Sequence, residues 1–230
     1  MFQVTEQQYR ACRIFSDASD DTIKRLISAA FPHKYSKNQT IYEQNDSSDD
    51  FHLLVSGKVR AKGVSPDGKE VTYGDITPGL LFGEFSAIDG VPRSSNIVAV
   101  EDVLALRMPA NALIGAIETD GKVALNIIRH LLEKTRLQTD RIYEFSVLAV
   151  RERIQQELLR LADYSGGDTG LREVSIPTHQ ELANRLSTHR EAVTRELRLM
   201  DTKGLIDSNR NKVVIHDVAR LAQFAGNLKT

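Results

Sequence analysis

Cysteine and long apolar stretches are the two features that this chain of 230 residues most clearly lacks. Its one cysteine, Cys12, cannot form an intramolecular disulfide, and a cysteine-rich metal or iron–sulfur site cannot form within one chain. No stretch approaches the ~20 consecutive apolar residues of a membrane span. Residues 1–6 lack the basic and apolar regions of a signal peptide. We therefore expect a cytoplasmic protein with no membrane partner and no metal site.

The chain also has no large excess of either charge, because its formal net charge is only -1. A hydrophobic content of 41% and a charged content of 27% are ordinary for a soluble globular protein. Residues 1–140 contain 16 Lys and Arg against 19 Asp and Glu, whereas residues 141–230 contain 14 against 12. This mild asymmetry favours the C-terminal part as the half that binds nucleic acid.

Catalytic signatures are missing as well. The sequence has no nucleophile elbow, no His-Glu-x-x-His and no glycine-rich P-loop. Its six histidines are scattered, and none stands at ligand spacing from a cysteine or a second histidine. We predict that the protein is not an enzyme, and an enzyme that processes the ligand inferred below stays as a remote alternative.

The region from about residue 34 to residue 108 has the texture of a β domain. Short β-branched or aromatic runs alternate there with turn residues, and the runs are 41–42, 51–55, 59, 71–73, 97–100 and 103–106. Many short strands separated by turns predict an all-β sandwich or jelly roll.

The run from Phe82 to Ser95 inside this region carries the residue types that hold one sugar and one phosphate. Gly83 allows a backbone to approach a ligand closely, and an ionised Glu84 accepts hydrogen bonds from hydroxyl groups. Arg93 offers a planar charged fork for a phosphate, with the hydroxyls of Ser94 and Ser95 behind it. The alternative is a plain hairpin in which residues 90–92 only form the turn.

The whole run resembles the phosphate-binding cassette of cyclic-nucleotide-binding domains, and the resemblance extends from Phe51 to Leu106. Asn38 and Asn45 stand where members usually have turn glycines, and asparagine tolerates a left-handed backbone well enough to keep those turns. The resemblance implies that the nucleotide is bound by Gly83, Glu84, Phe85, Arg93, Ser94 and Ser95.

A heptad seam begins after about residue 120. Its members recur at spacings of three and four residues, which predicts a long helix with a dimerisation face, and they are Leu125, Ile128, Leu132, Thr135, Thr139, Ile142 and Ser146. The alternative is an amphipathic helix that lies on its own domain, and Ile127, Leu131 and Val147 are predicted to pack there.

Two short helices with a tight turn at Ser187 follow, which is the helix-turn-helix pattern. Thr178 with Glu181, and Thr188 with Glu191, predict a capping box at the start of each helix. On the second helix, at about 100° per residue, the polar side chains fall within about 140° and only Glu196 breaks the division. They are Arg190, Glu191, Thr194, Arg195, Arg198 and Asp201. The alternative is an exposed helix with a Glu191–Arg195 ion pair.

The string from Arg190 to Arg195 is similar to the recognition helix of the cyclic-AMP receptor protein (Crp/Fnr) family, Arg-Glu-x-Val-x-Arg. The similarity implies that Arg190, Glu191 and Arg195 contact bases of a GTGA-like half-site. Residues expected at the DNA backbone or beside those bases are Thr178, His179, Gln180, His189, Thr194, Arg210 and Lys212. On the long helix, Gln138 and Thr139 match two polar residues that meet the nucleotide base in that family. The alternative for Thr139 is a hydroxyl bonded to its own backbone.

The resemblance covers nearly the whole chain and implies an α+β fold. We expect a β jelly-roll nucleotide-binding domain at residues 1–118, a dimerisation helix and hinge at 119–149, and a winged helix-turn-helix DNA-binding domain at 150–230. The expected function is that of a homodimeric regulator that binds cAMP, or alternatively cGMP, then double-stranded DNA, and works with RNA polymerase. A regulator of the same fold with another effector, or with none, stays as the alternative.

Overall fold

The computed structural model describes residues 4–66, 68–164, 170–209 and 212–224. The chain forms two compact units, residues 1–136 and 137–230, and the boundary falls inside the longest helix. The division that the sequence suggested at residues 118 and 149 stays a prediction.

The first unit contains the predicted β domain, flanked by helices. Its elements are α1 (Glu6–Arg10), α2 (Asp20–Ala29), β1 (Phe31–Tyr35), β2 (Thr40–Tyr42), β3 (Phe51–Ser56), β4 (Val59–Val64), β5 (Glu70–Ile76), β6 (Leu81–Phe82), α3 (Glu84–Asp89), β7 (Asn96–Ala99), β8 (Val103–Met108), α4 (Ala110–Thr119) and the start of α5 (Gly121–Val147).

The eight strands of this unit form two antiparallel sheets of four strands each, in the orders β1-β8-β3-β6 and β2-β7-β4-β5. Strands distant in sequence are neighbours in both sheets, as in a jelly roll. Alternating side chains fill the space between the sheets, among them Leu54, Val59, Phe82 and Ile97. The predicted β domain is confirmed.

Two asparagines occupy the turns where the sequence predicted a left-handed backbone. Asn38 has φ 67° and Asn45 has φ 71°. The backbone N–H of Asn45 donates to the carbonyl of Arg93 at 2.8 Å, and the N–H of Arg93 donates to the carbonyl of Asp46 at 2.9 Å. The second turn therefore pairs with the cassette and holds it in place.

Helix α5 divides its apolar side chains between the core and solvent. Val123 and Ile127 are buried and Leu131 packs against the same core, which confirms the prediction for the last two. Val147 lies in the second unit and is 57% exposed, and its packing on the β domain stays a prediction. The seam residues Leu125, Ile128, Leu132 and Ile142 are all exposed.

The second unit is a helical domain with a small sheet. Its elements after α5 are α6 (Val150–Tyr164), β9 (Arg172–Ser175), α7 (His179–Arg185), α8 (Arg190–Thr202), β10 (Ile206–Asn209), β11 (Lys212–Ile215) and α9 (Val218–Phe224). The three strands pair antiparallel in the order β10-β11-β9 and form the wing. The core between sheet and helices contains Leu158, Leu182, Val193 and Leu197.

Among the described residues, no helix combines the length and apolar character needed to cross a membrane.

Candidate functional site

The cassette begins at Gly83, which is the N-cap of α3 with φ 80°. A Cβ at this position would lie 2.7 Å from Nη1 of Arg93 and 2.9 Å from the carbonyl oxygen of Asp50. Both the positive φ and the close approach require glycine. Helix α3 then runs from Glu84 to Asp89.

Arg93 is buried beside Gly83, and its guanidinium is directed at groups of its own chain. Nη1 donates to the carbonyl of Gly83 at 2.9 Å, and Nε donates to Oγ of Ser48 at 3.0 Å. Nη2 donates to both the carbonyl oxygen and Oδ1 of Asp50, each at 2.6 Å. The ring of Tyr42 lies 4.2 Å from the guanidinium carbon, which adds a cation–π contact. Arg93 is therefore fixed in position, with a carboxylate as its anionic partner.

Glu84 is 2% exposed, and the positive charge of Lys134 balances its negative charge. Nζ of Lys134 lies 2.5 Å from Oε1 of Glu84, and Nε2 of His130 lies 3.4 Å from the same oxygen. Burial alone would raise the pKa of Glu84, but the hydrogen bonds and the charge from His130 and Lys134 outweigh burial, so this pKa is lowered. Glu84 is therefore ionised at neutral pH and can accept hydrogen bonds. Lys134 also lies 4.9 Å from the ring centre of Phe85, which is half-buried.

The remaining predicted nucleotide contacts are more open. Ser94 is exposed and Ser95 is half-buried, directly after Arg93. Gln138 and Thr139 are both exposed on α5. Their contact with a base stays a prediction.

Behind the cassette lies a buried neutral histidine, His52. Its ring stacks on Phe82 with 4.6 Å between ring centres, and Nε2 lies 2.9 Å from the hydroxyl of Tyr35. Burial, with smaller effects from charged neighbours, lowers the pKa of His52 to about 3. His52 therefore does not supply a positive charge for an anion at neutral pH.

The first helix of the helix-turn-helix, α7, begins with the predicted capping box. The hydroxyl of Thr178 accepts from the N–H of Glu181, and Glu181 accepts in return from the backbone of Thr178. The helix ends in a left-handed Ser187 with φ 51°. The N–H of Thr188 then donates to the carbonyl of Ala183 at 3.0 Å, which is the bond of a Schellman motif.

The second capping box, predicted at Thr188 and Glu191, is wrong. Helix α8 begins at Arg190, and its N-cap is His189, which makes no side-chain cap bond. The physical reason is that Thr188 completes the Schellman motif of the preceding helix and so lies one position too early to cap the next.

The faces of α8 follow the prediction with two refinements. Arg190, Glu191, Arg195 and Arg198 are exposed, and the opposite face is buried through residues such as Val193 and Leu197. Leu199 lies outside the polar face of α8 and is nevertheless 37% exposed. Glu196, the residue that broke the pattern, is buried and accepts a hydrogen bond from Nε2 of Gln155 at 2.8 Å.

Two residues predicted to contact DNA, His179 and Thr194, form a hydrogen bond with each other. Nδ1 of His179 lies 2.9 Å from Oγ1 of Thr194, so the start of α7 is joined to the exposed side of α8. Burial first, and then the positive charges of Arg190 and Arg198, lower the pKa of His179. Both arginines are exposed on α8.

The other predicted DNA contacts lie around these two helices. Gln180 and His189 are exposed at the starts of α7 and α8. Lys212 pairs with Glu173 across the wing strands. Arg210 lies outside the described residues. These DNA contacts stay predictions.

An ion-pair cluster joins the end of α5 to α6. Glu157 is buried and lies 3.0 Å from Nη2 of Arg141, while Arg160 reaches Glu144 at 2.6 Å. Between the two helices, the backbone N–H of Ala149 donates to the carboxylate of Glu152 at 2.8 Å. Ala149 cannot cap with its own side chain, and Glu152 supplies half of a capping box instead. No local sequence pattern predicts this cluster, because its members come from two helices.

Comparison with known proteins finds one matching family model in each of the two units. Residues 32–120 match the model of a cyclic nucleotide-binding domain, and residues 152–224 match that of a Crp-like helix-turn-helix domain. Over 215 residues the chain is 30% identical to the cyclic AMP receptor protein of Thermus thermophilus, which covers 94% of this chain and 97% of that protein. The chain belongs to the Crp/Fnr family of transcriptional regulators.

Other Crp/Fnr proteins are similar over most of their length. The CRP-like cAMP-activated global transcriptional regulator of Mycobacterium tuberculosis is 28% identical over 214 residues, covering 92% of this chain and 96% of that protein. The structure of FixK2 from Bradyrhizobium japonicum has the same fold, with a TM-score of 0.73 at 22% identity over 84% of this chain and 96% of that chain. Residues 82–95 of this Crp/Fnr regulator therefore lie inside the matched cyclic nucleotide-binding domain, and α8 lies inside the matched helix-turn-helix domain.

Proposed function

We propose that this protein is a homodimer that binds a cyclic nucleotide, cAMP first, and then a near-palindromic GTGA-type operator. The observation that carries the proposal is that a fixed cation, Arg93, and an ionised acid, Glu84, both lie beside Gly83. Arg93 donates to the carbonyl of Gly83, and Glu84 follows that glycine directly. This is the donor and acceptor set that a cyclic phosphodiester on a ribose requires.

Within the cassette each residue has its own role. Arg93, with the hydroxyls of Ser94 and Ser95, binds the phosphate, and Glu84 accepts a hydrogen bond from the ribose. Phe85 packs beside the sugar, and Gln138 and Thr139 contact the base. Two relatives carry cyclic AMP in their names, which supports cAMP over cGMP. The hydroxyls of Ser94 and Thr139 suit either base, so cGMP is the second ligand to test.

The dimer forms through α5. Leu125, Ile128, Leu132 and Ile142 recur with heptad spacing and leave an apolar face in solvent, which suits a second copy of the same helix. A two-fold dimer presents two copies of α8, and helix-turn-helix dimers read half-sites about 34 Å apart.

On the DNA, Arg190, Glu191 and Arg195 contact base edges in the major groove. Arginine pairs with guanine and glutamate accepts from the amino group of cytosine. Positions around them, such as Gln180, His189 and Lys212, contact phosphates and set the salt dependence of binding. RNA polymerase is the proposed partner at the promoter.

A regulator of the same architecture that answers to another effector, or to none, is the second candidate. The observation that favours it is that all three guanidinium nitrogens of Arg93 already donate to groups of the same chain, one of which is the carboxylate of Asp50.

Titration calorimetry of the full-length protein tests the nucleotide step. We expect cAMP to bind with measurable heat, and to protect the protein against thermal unfolding by an amount that grows with ligand concentration. The matched control is 5′-AMP, which has the same base and sugar but a dianionic, open phosphate. Absence of both heat and protection with saturating cAMP and cGMP would contradict the proposal.

A further inference from the structure

The partner of Arg93 in this cassette is a carboxylate, and it belongs to a residue outside the cassette. Asp50 lies directly before β3, 43 positions before Arg93. Its Oδ1 accepts from Arg93 at 2.6 Å, and its Oδ2 accepts from Nε of Arg107. Asp50 therefore stands between two arginines, of which Arg93 is buried and Arg107 is more than half exposed.

The Asp50 carboxylate binds Arg93 in the way that an anionic ligand would. Nη1 and Nε of Arg93 are directed at Gly83 and Ser48, so the Nη2 edge is the part of the fork that already binds an anion. A cyclic phosphodiester is a monoanion with the same preference for a planar guanidinium as a carboxylate.

We propose that Asp50 is a built-in competitor for the phosphate site and determines how tightly the cassette binds its ligand. The inference rests on the proposed function, because it names a residue that regulates the same nucleotide site. On binding, Arg93 exchanges the Asp50 carboxylate for the phosphate. Asp50 keeps Arg107 as its counter-ion, so the exchange leaves no buried charge without a partner.

The charges of the cluster fit such an exchange. Arg93, Arg107 and Asp50 together carry one net positive charge, and a monoanionic phosphodiester brings that sum to zero. With Asp50 close by, the incoming phosphate meets a like charge, which lowers affinity. In the unliganded protein, Asp50 in turn keeps Arg93 paired and packed on Tyr42.

Three variants of the full-length protein separate this role from a general charge effect. Asp50→Asn removes the charge but keeps the size and one oxygen, and the carbonyls of Gly83 and Asp50 still hold the guanidinium. Asp49→Asn makes the same charge change at the exposed neighbouring residue and is the matched control. Arg107→Gln leaves a displaced Asp50 without its second partner.

Calorimetry with cAMP and with cGMP at fixed ionic strength measures the dissociation constant of each variant, and thermal unfolding checks that each is folded. We expect Asp50→Asn to bind the nucleotide about tenfold more tightly than the parent. Asp49→Asn should change affinity less than about twofold, and Arg107→Gln should weaken binding by about threefold or more.

Equal or weaker binding by folded Asp50→Asn, with a parent that binds, would overturn the inference and leave the proposed function standing, because Asp50 would then position Arg93 rather than compete with the ligand. Equal tightening by Asp49→Asn and Asp50→Asn would also overturn it, because net charge alone would explain the effect. If neither the parent nor Asp50→Asn binds a cyclic nucleotide, the proposed function fails together with the inference.

Discussion

Replacing Arg93 by glutamine is expected to weaken binding of a cyclic nucleotide by about 100-fold or more, since a buried charge-assisted pair is lost at the phosphate. Glutamine offers an amide at a similar reach but no positive charge. Arg93 is the cation aligned by Gly83 and Ser48 at the proposed phosphate position. The expected effect is therefore the largest of any single change in the β domain.

The same change also removes a partner of Asp50, so stability has to be measured beside affinity. The double variant with Asp50→Asn removes both charges of the pair and is expected to restore folding but not nucleotide binding. Arg60→Gln is the matched control, because Arg60 forms an ion pair with Asp75 at 2.7 Å within the sheet β2-β7-β4-β5. Calorimetry with cAMP measures all three variants, and a folded Arg93→Gln protein with the affinity of the parent would refute the assigned role of Arg93.

Replacing Arg195 by alanine is expected to cost about 1–3 kcal/mol of operator binding, and to abolish discrimination at one base pair of each half-site. Arg195 lies on the exposed face of α8, whose opposite face is buried through Val193 and Leu197. Its removal should therefore leave the fold intact. A contact to a guanine is lost only on the sequence that contains this guanine, so the loss should depend on sequence.

Fluorescence anisotropy with a labelled operator and a set of single base-pair substitutions measures this dependence. Arg220→Ala is the matched control, because Arg220 is an exposed arginine on α9 and its removal changes the net charge equally. A uniform loss on all duplexes, or an equal loss in Arg220→Ala, would mean that Arg195 acts through charge rather than through a base.

Local features of the fold could be predicted from the sequence because short-range chemistry determines them. The left-handed Asn38 and Asn45 and the capping box at Thr178 each depend on residues within one turn. The cap at Thr188 failed for an equally local reason. A left-handed Ser187 allows the preceding helix to use Thr188 in its own Schellman motif. The sequence around Thr188 does not distinguish this role from that of an N-cap.

The partners of the cassette could not be predicted, because they come from distant parts of the chain. Asp50 reaches Arg93 from directly before β3, and His130 and Lys134 reach Glu84 from α5. No spacing rule joins such residues, since only the order of the strands and the packing of α5 bring them together. The buried Glu196 is similar, because its partner Gln155 lies on α6.

We expect a nucleotide bound in the β domain to control the affinity of the helix-turn-helix for DNA. A gel-shift titration with a symmetric GTGA-containing duplex, without nucleotide and with cAMP or cGMP, tests this most directly. We expect one of the nucleotides to shift the midpoint of duplex binding to a lower protein concentration, and Arg93→Gln to abolish this shift. Superimposable binding curves for the parent under all three conditions would contradict it.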